Sequence, residues 1–176
     1  AAGTAGQASL TVNASAGTVA IWIADNATDD LALATGLVWA LKAPDGANLD
    51  RAQIVKVWLD ADTPREQVFE VALSDGRRVD PATGRAPRLP STVDLETGSY
   101  GDRVGATQLT AWWKDPAFDP RQSAVYYLRV LEIETPRWTT LLAASQGLPR
   151  PQDSPATIQE RAWSSPIWYR AAATPE

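Results

Sequence analysis

The residues that could do chemistry here are acidic and aromatic, because the usual reactive types are missing. The chain of 176 residues has no histidine and no cysteine. That removes the common general base near neutral pH and the commonest transition-metal ligand. It also removes a thiolate nucleophile, a disulfide and a zinc–thiolate centre. A metal would have to be a hard cation held by oxygen. Asp45, Asn48 and Asp50 in PDGANLD (44–50) carry a fragment of a calcium loop. They lack the full D-x-[DN]-x-[DN]-G-x5-E spacing. A plain turn with Asx-type capping is the preferred reading. Asp29 with Asp30, and Asp60 with Asp62, read as solvated loop ends. Glu132 and Glu134 sit at i and i+2, so a strand would put them on one face, with Glu160 as a third carboxylate. Two convergent carboxylates could hydrolyse a glycosidic bond, but nothing in this spacing makes them converge. Ser164-Ser165 has neither a histidine nor the glycines of a nucleophile elbow. No catalytic residue, metal or cofactor is expected.

The eight tryptophans are the richest feature. Core packing is the expected role for most, because an indole buries a large area in a small domain. Trp112 and Trp113 are consecutive, so a strand must point them to opposite faces. With Tyr126 they are the candidate binding aromatics, for instance for stacking on a sugar. Arg129 falls among apolar residues in YYLRVLEI, and Glu160-Arg161 precedes the last aromatic run. A charge taken out of water needs a partner. Arg129 or Arg161 is therefore expected to pair with Glu132 or Glu160, tying the closing strand to a central one.

The elements that would position these groups read mostly as strands. Ser9–Asn13 alternates, and Thr18–Ile23 and Leu37–Leu41 are short apolar runs. Gln53–Asp60 and Gln67–Leu73 alternate, so each should bury one face. Ala106–Lys114 is another strand. Ser123–Glu134 is apolar on both faces, which marks a central one. Thr157–Tyr169 is strand-like and interrupted by Pro166. Residues 75–105 are rich in Gly, Pro, Arg and Asp and read as a long loop, with Thr92–Leu95 as a short strand inside it. One helix is expected over about 135–147, with Thr135 as N-cap, Pro136 at the first position and Gly147 at the C-terminal end. The whole predicts a single all-β domain over 1–176, an antiparallel sandwich with one short helix.

Net charge is −5. Nucleic-acid binding needs clustered positive charge, so it is not expected. No apolar run approaches the ~20 residues of a membrane span, although docking on a membrane complex stays open. The opening AAGTAG suits the mature end left by a signal peptidase, which points to a periplasmic or secreted protein.

Three stretches together resemble a known family: PDGANLDRAQIVKVW (44–58), YYLRVLEIETPRWTT (126–140) and TIQERAWSSPIWY (157–169). They are similar to the C-terminal portion of a large uncharacterised bacterial family related to the PHP-type (polymerase and histidinol phosphatase) metal-dependent hydrolases. The likeness covers about 40–169 and leaves 1–39 unmatched. It implies a catalytic barrel elsewhere, with histidine and acidic metal ligands. None of those ligands has a counterpart here. The function expected is a non-catalytic accessory domain that packs on another domain or protein subunit. A structural subunit of an exported or membrane-associated assembly and a carbohydrate-binding module are the alternatives.

Overall fold

The computed structural model describes residues 7–14, 17–24 and 35–171, and for 7–14, 17–24 and 35 the backbone only. The readings of Asp29, Asp30 and the Trp22 side chain lie outside the described residues. Among the described residues, nine strands and one helix follow in order: β1 (Gln7–Ala14), β2 (Gly17–Ala24), β3 (Thr35–Leu41), β4 (Leu49–Asp60), β5 (Thr63–Leu73), β6 (Gln108–Lys114), β7 (Ala124–Pro136), α1 (Trp138–Gln146), β8 (Thr157–Trp163) and β9 (Ile167–Tyr169). They form two open sheets. One runs β1-β2-β3-β6; the other runs β5-β4-β7-β8, with β9 also pairing with β7. Every pairing is antiparallel.

The expected sandwich is present. One apolar core draws Val38 and Ala40 from β3 and Leu109 from β6. It draws Leu49, Ala52 and Ile54 from β4, Tyr126, Leu128 and Val130 from β7, and Ala162 from β8. Alternation decides which residues these are. On β4, Ala52, Ile54, Lys56 and Trp58 point toward the other sheet, and Gln53, Val55 and Val57 point away. β7 is central, flanked by β4 on one side and by β8 and β9 on the other. That explains why both of its faces are apolar. The Pro166 interruption separates β8 from β9, because proline offers no N–H to a ladder.

Two expectations are corrected. The helix begins at Trp138, and its N-cap is Arg137, whose side chain makes no capping bond. Thr135 and Pro136 instead finish β7, paired with Ile158 and Thr157; ladder bonds to β8 outcompete a capping role. At the other end Gly147 takes φ 62°, a left-handed conformation glycine adopts without strain. Gly147 N–H and Leu148 N–H donate to Ala144 O and Ala143 O, closing a Schellman motif. Thr92–Leu95 is not a strand. The long segment from Ser74 to Thr107 instead carries two tight turns, bridged at Asp80–Arg85 and Asp94–Ser99. In each, the leading aspartate accepts N–H bonds from residues two or three ahead. This satisfies the backbone locally and leaves nothing to pair with a sheet.

Candidate functional site

Two networks of buried charged groups stand out. At the first, Asp50 on β4 is a hub. Its Oδ2 accepts from Arg51 Nε at 3.0 Å and from Gln159 Nε2 at 2.7 Å, and its Oδ1 accepts from Arg77 Nη2. Arg51 Nη1 and Gln53 Nε2 both donate to Glu70 Oε1, at 3.0 and 2.8 Å. Arg129 Nε donates to Gln53 Oε1 at 2.8 Å. The register builds this row, because Gln53 lies opposite Glu70 on one side and Arg129 on the other. Burial works against the Arg51 charge, but its bonds to Asp50 and the fields of Asp50 and Glu70 outweigh that and raise its pKa. Arg77 also donates to the carbonyls of Ser74, Pro87 and Asp50, which fastens the start of the long loop to the sheet.

A carboxylate saturated in this way is poorly placed to bind a cation. The adjoining cleft, lined by Asp50, Arg51, Arg88, Thr92, Glu134 and Gln159 among others, encloses ≈ 30 Å³. That is room for about one water, whereas ligand pockets run to several hundred Å³.

The second place is the slab between the sheets. Lys56 Nζ lies 2.5 Å from Asp115 Oδ2 and donates to Ala117 O at 2.9 Å. Tyr126 OH donates to the same Asp115 oxygen at 2.8 Å. Burial pushes the Tyr126 phenol up, and its bond to Asp115 and that carboxylate's charge push it further. Lys56 Nζ also stands 5.3 Å from the Trp58 ring centre. This cluster joins β4 and β7 to the loop after β6. Sequence reading missed it. The available signal was Lys56 itself, a lysine at an inward parity position between Ile54 and Trp58, which required an acid at a neighbouring strand end.

The candidates do not come together as expected. Trp113 faces inward, 5.1 Å from the Phe69 ring and 6.1 Å from Tyr126. Trp112 faces outward and is 72% exposed. Tyr126 is buried, so the three form no common binding surface. Asp45 is exposed on its turn, Asn48 Nδ2 donates to the carbonyls of Asp102 and Val104, and Asp50 is occupied by arginines. Those three therefore cannot converge on a cation, and among the described residues no group of three acidic side chains is arranged to hold one. The expected ion pairs are also corrected. Among the described residues, none of the charged pairs joins Arg129, Arg161, Glu132 or Glu160 to one another. Arg129 is satisfied by Gln53, Glu160 and Arg161 lie exposed, and Glu132 is buried without an ionic partner. The buried pairing falls to Arg51, Lys56 and Arg77 instead.

The tryptophans overturn the packing expectation most clearly. Of the seven whose side chains are described, Trp39, Trp112, Trp138, Trp163 and Trp168 are exposed. Only Trp58 and Trp113 pack on the core. On the outer face of the four-stranded sheet, Leu37 lies opposite Trp112 and Trp39 opposite Thr110. On the outer face of the five-stranded sheet, Trp163 lies opposite Arg129 and Trp168 opposite Val125.

Fold and site thus define an open antiparallel β-sandwich with two networks of paired buried charges and tryptophans on its outer faces. The family model described as "Protein of unknown function (DUF3604)" matches residues 23–171, and the chain belongs to that family. The match reaches back to Ile23, so part of the segment 1–39 that sequence reading left unmatched lies within the family region. No curated protein and no solved structure matches the chain.

Proposed function

We propose that this domain is a non-catalytic accessory unit that packs on, or stabilises, another domain or protein subunit. The observation that carries this reading is the outward placement of five tryptophans. A monomeric domain gains little from indoles in water, whereas rigid aromatic anchors are what protein contacts use. The saturated carboxylate at Asp50 and the water-sized cleft beside it support a structural role for the buried charges. The chain's three similar stretches support a parent related to the PHP-type hydrolases, with the metal chemistry residing in a separate barrel. An exported, periplasmic setting is part of the same proposal.

The native protein, isolated from its source cells, is expected to carry this domain in a stable contact with a further domain or a stoichiometric second chain. The paired substitution Trp39→Ser with Trp112→Ser should release it. A native protein in which this domain is free in solution would overturn the reading. A separate second chain would identify a subunit of a larger assembly.

A carbohydrate-binding role is the second reading. It is favoured by Trp163 and Trp168 standing on one outer face beside Arg129. Glycan binding that Trp168→Ala abolishes would support it over the first.

A further inference from the structure

Glu132 is an anomaly that the accessory role does not use. It lies near the end of β7 and is 3% exposed. The nearby Ala47 N–H favours its charged form, yet Oε1 is buried with no hydrogen-bond partner. The group lies under the connection from β3 to β4. A Cβ on Gly46 would stand 3.1 Å from Glu132 Oε1, so the turn closes directly over the acid. The turn is also clasped by Lys42, whose Nζ donates to Gly46 O at 2.7 Å. Gly46 N–H donates to Ala43 O at 3.0 Å.

The same turn holds the far end of the long loop. Asn48 Nδ2 donates to Val104 O at 2.9 Å and to Asp102 O at 3.1 Å. Asn48 O accepts from Ile133 N–H at 2.8 Å, next to Glu132 in the chain. Gly105 is wedged between Asn48 and Ile133, where an added Cβ would come within 2.7 and 2.8 Å of them. Whatever displaces Gly46 and Ala47 therefore acts on Asn48 and, through it, on residues 102–105.

We propose that Glu132 is a proton-operated latch. Protonated, it lets the 43–48 turn close and keep the loop end docked; ionised, it drives the turn open. The closed turn leaves a carboxylate oxygen unpaired in a dry site, which disfavours the charged form. The charged groups that act on it from the surrounding elements are Glu160 on β8 and Lys42 at the end of β3, while Tyr100 on the long loop feels both Glu132 and Asp45 of the turn. Glu160 opposes ionisation. Lys42 favours it, but its ammonium is engaged on Gly46 O. Opening the turn admits water to Oε1 and frees Lys42 to pair with it. Burial, with the Glu160 charge adding to it, raises the pKa of this glutamate from 4.5 to about 7, which sets the range in which the latch works.

Amide hydrogen exchange on the whole chain across pH 4.5 to 8.5, with intrinsic rates removed, tests this. The protection factor of the Ala47 amide should fall about tenfold per pH unit between about 5 and 7 and level off above. The Asn48 side-chain amide signals should shift over the same range. In Glu132→Gln both should be flat. Constant protection across that range, or an equal fall in Glu132→Gln, overturns the latch. Should Glu132→Gln not fold, Glu160→Gln is the second variant: removing the like charge should lower the pH at which protection levels off. An unmoved profile in Glu160→Gln counts against Glu132 as the titrating group.

Discussion

Trp112 and Trp113 are neighbours in the chain and opposites in the molecule. Trp113 enters the slab between the sheets, against Phe69 and Tyr126. Trp112 stands on the outer face of the four-stranded sheet, in water. The inner region is complete: its apolar cluster is closed, and Lys56, Asp115 and Tyr126 satisfy one another. The outer region is not, with large apolar groups that stay exposed among the described residues. Folding of the domain accounts for the inner set, and the contact role proposed above is what would give the outer set its use.

The contrast can be broken most strongly from inside. Asp115→Ala leaves the Lys56 ammonium buried and unpaired, which costs about 3–5 kcal/mol. Urea unfolding should show a much lower midpoint, and a loss under about 1 kcal/mol would mean that the slab is wetter than described. Trp113→Ala should cost about 3 kcal/mol in the same assay, the lower end for a buried indole, because Trp113 is partly exposed.

Gly105→Ala comes next. It places a Cβ against Asn48 and Ile133 at φ +83°, and a loss of about 1–3 kcal/mol is expected. The pH dependence of stability is a further check. The folded chain holds a proton on Glu132 that the unfolded chain releases above about 4.5, so stability should decline from there to about pH 7 and be flat beyond. In Glu132→Gln that decline should disappear from the urea midpoints. Smallest is Trp112→Ala, expected to change the stability of the isolated domain by no more than about 0.5 kcal/mol.

Much of this architecture was legible in period-two patterning. The β4 run QIVKVWLD and the doubly apolar β7 run locate one sheet, and Pro166 marks its broken edge. The helix start was not legible. Thr135-Pro136 is a good capping pair locally, and only the ladder to Ile158 and Thr157 claims it for a strand. The charges were harder still. Arg129 and Glu132 are near in sequence and both need partners, yet opposite parity on β7 turns them to different faces. Asp115, outside any strand pattern, became the most buried acid because β6 delivers it beside Lys56. The adjacency rule for Trp112 and Trp113 held. What failed was the assumption that the remaining tryptophans serve the core, since a single chain shows alternation but not what covers each face.

The central claim is that the outer tryptophans are contact surfaces. Oxidative footprinting of the isolated domain and of the native protein from its source cells tests it directly, with Trp113 as the internal reference. The account predicts fast oxidation of Trp39 and Trp112, or of Trp163 and Trp168, in the isolated domain, and strong protection of at least one of these pairs in the native protein. Equal oxidation of all four in both preparations would contradict it.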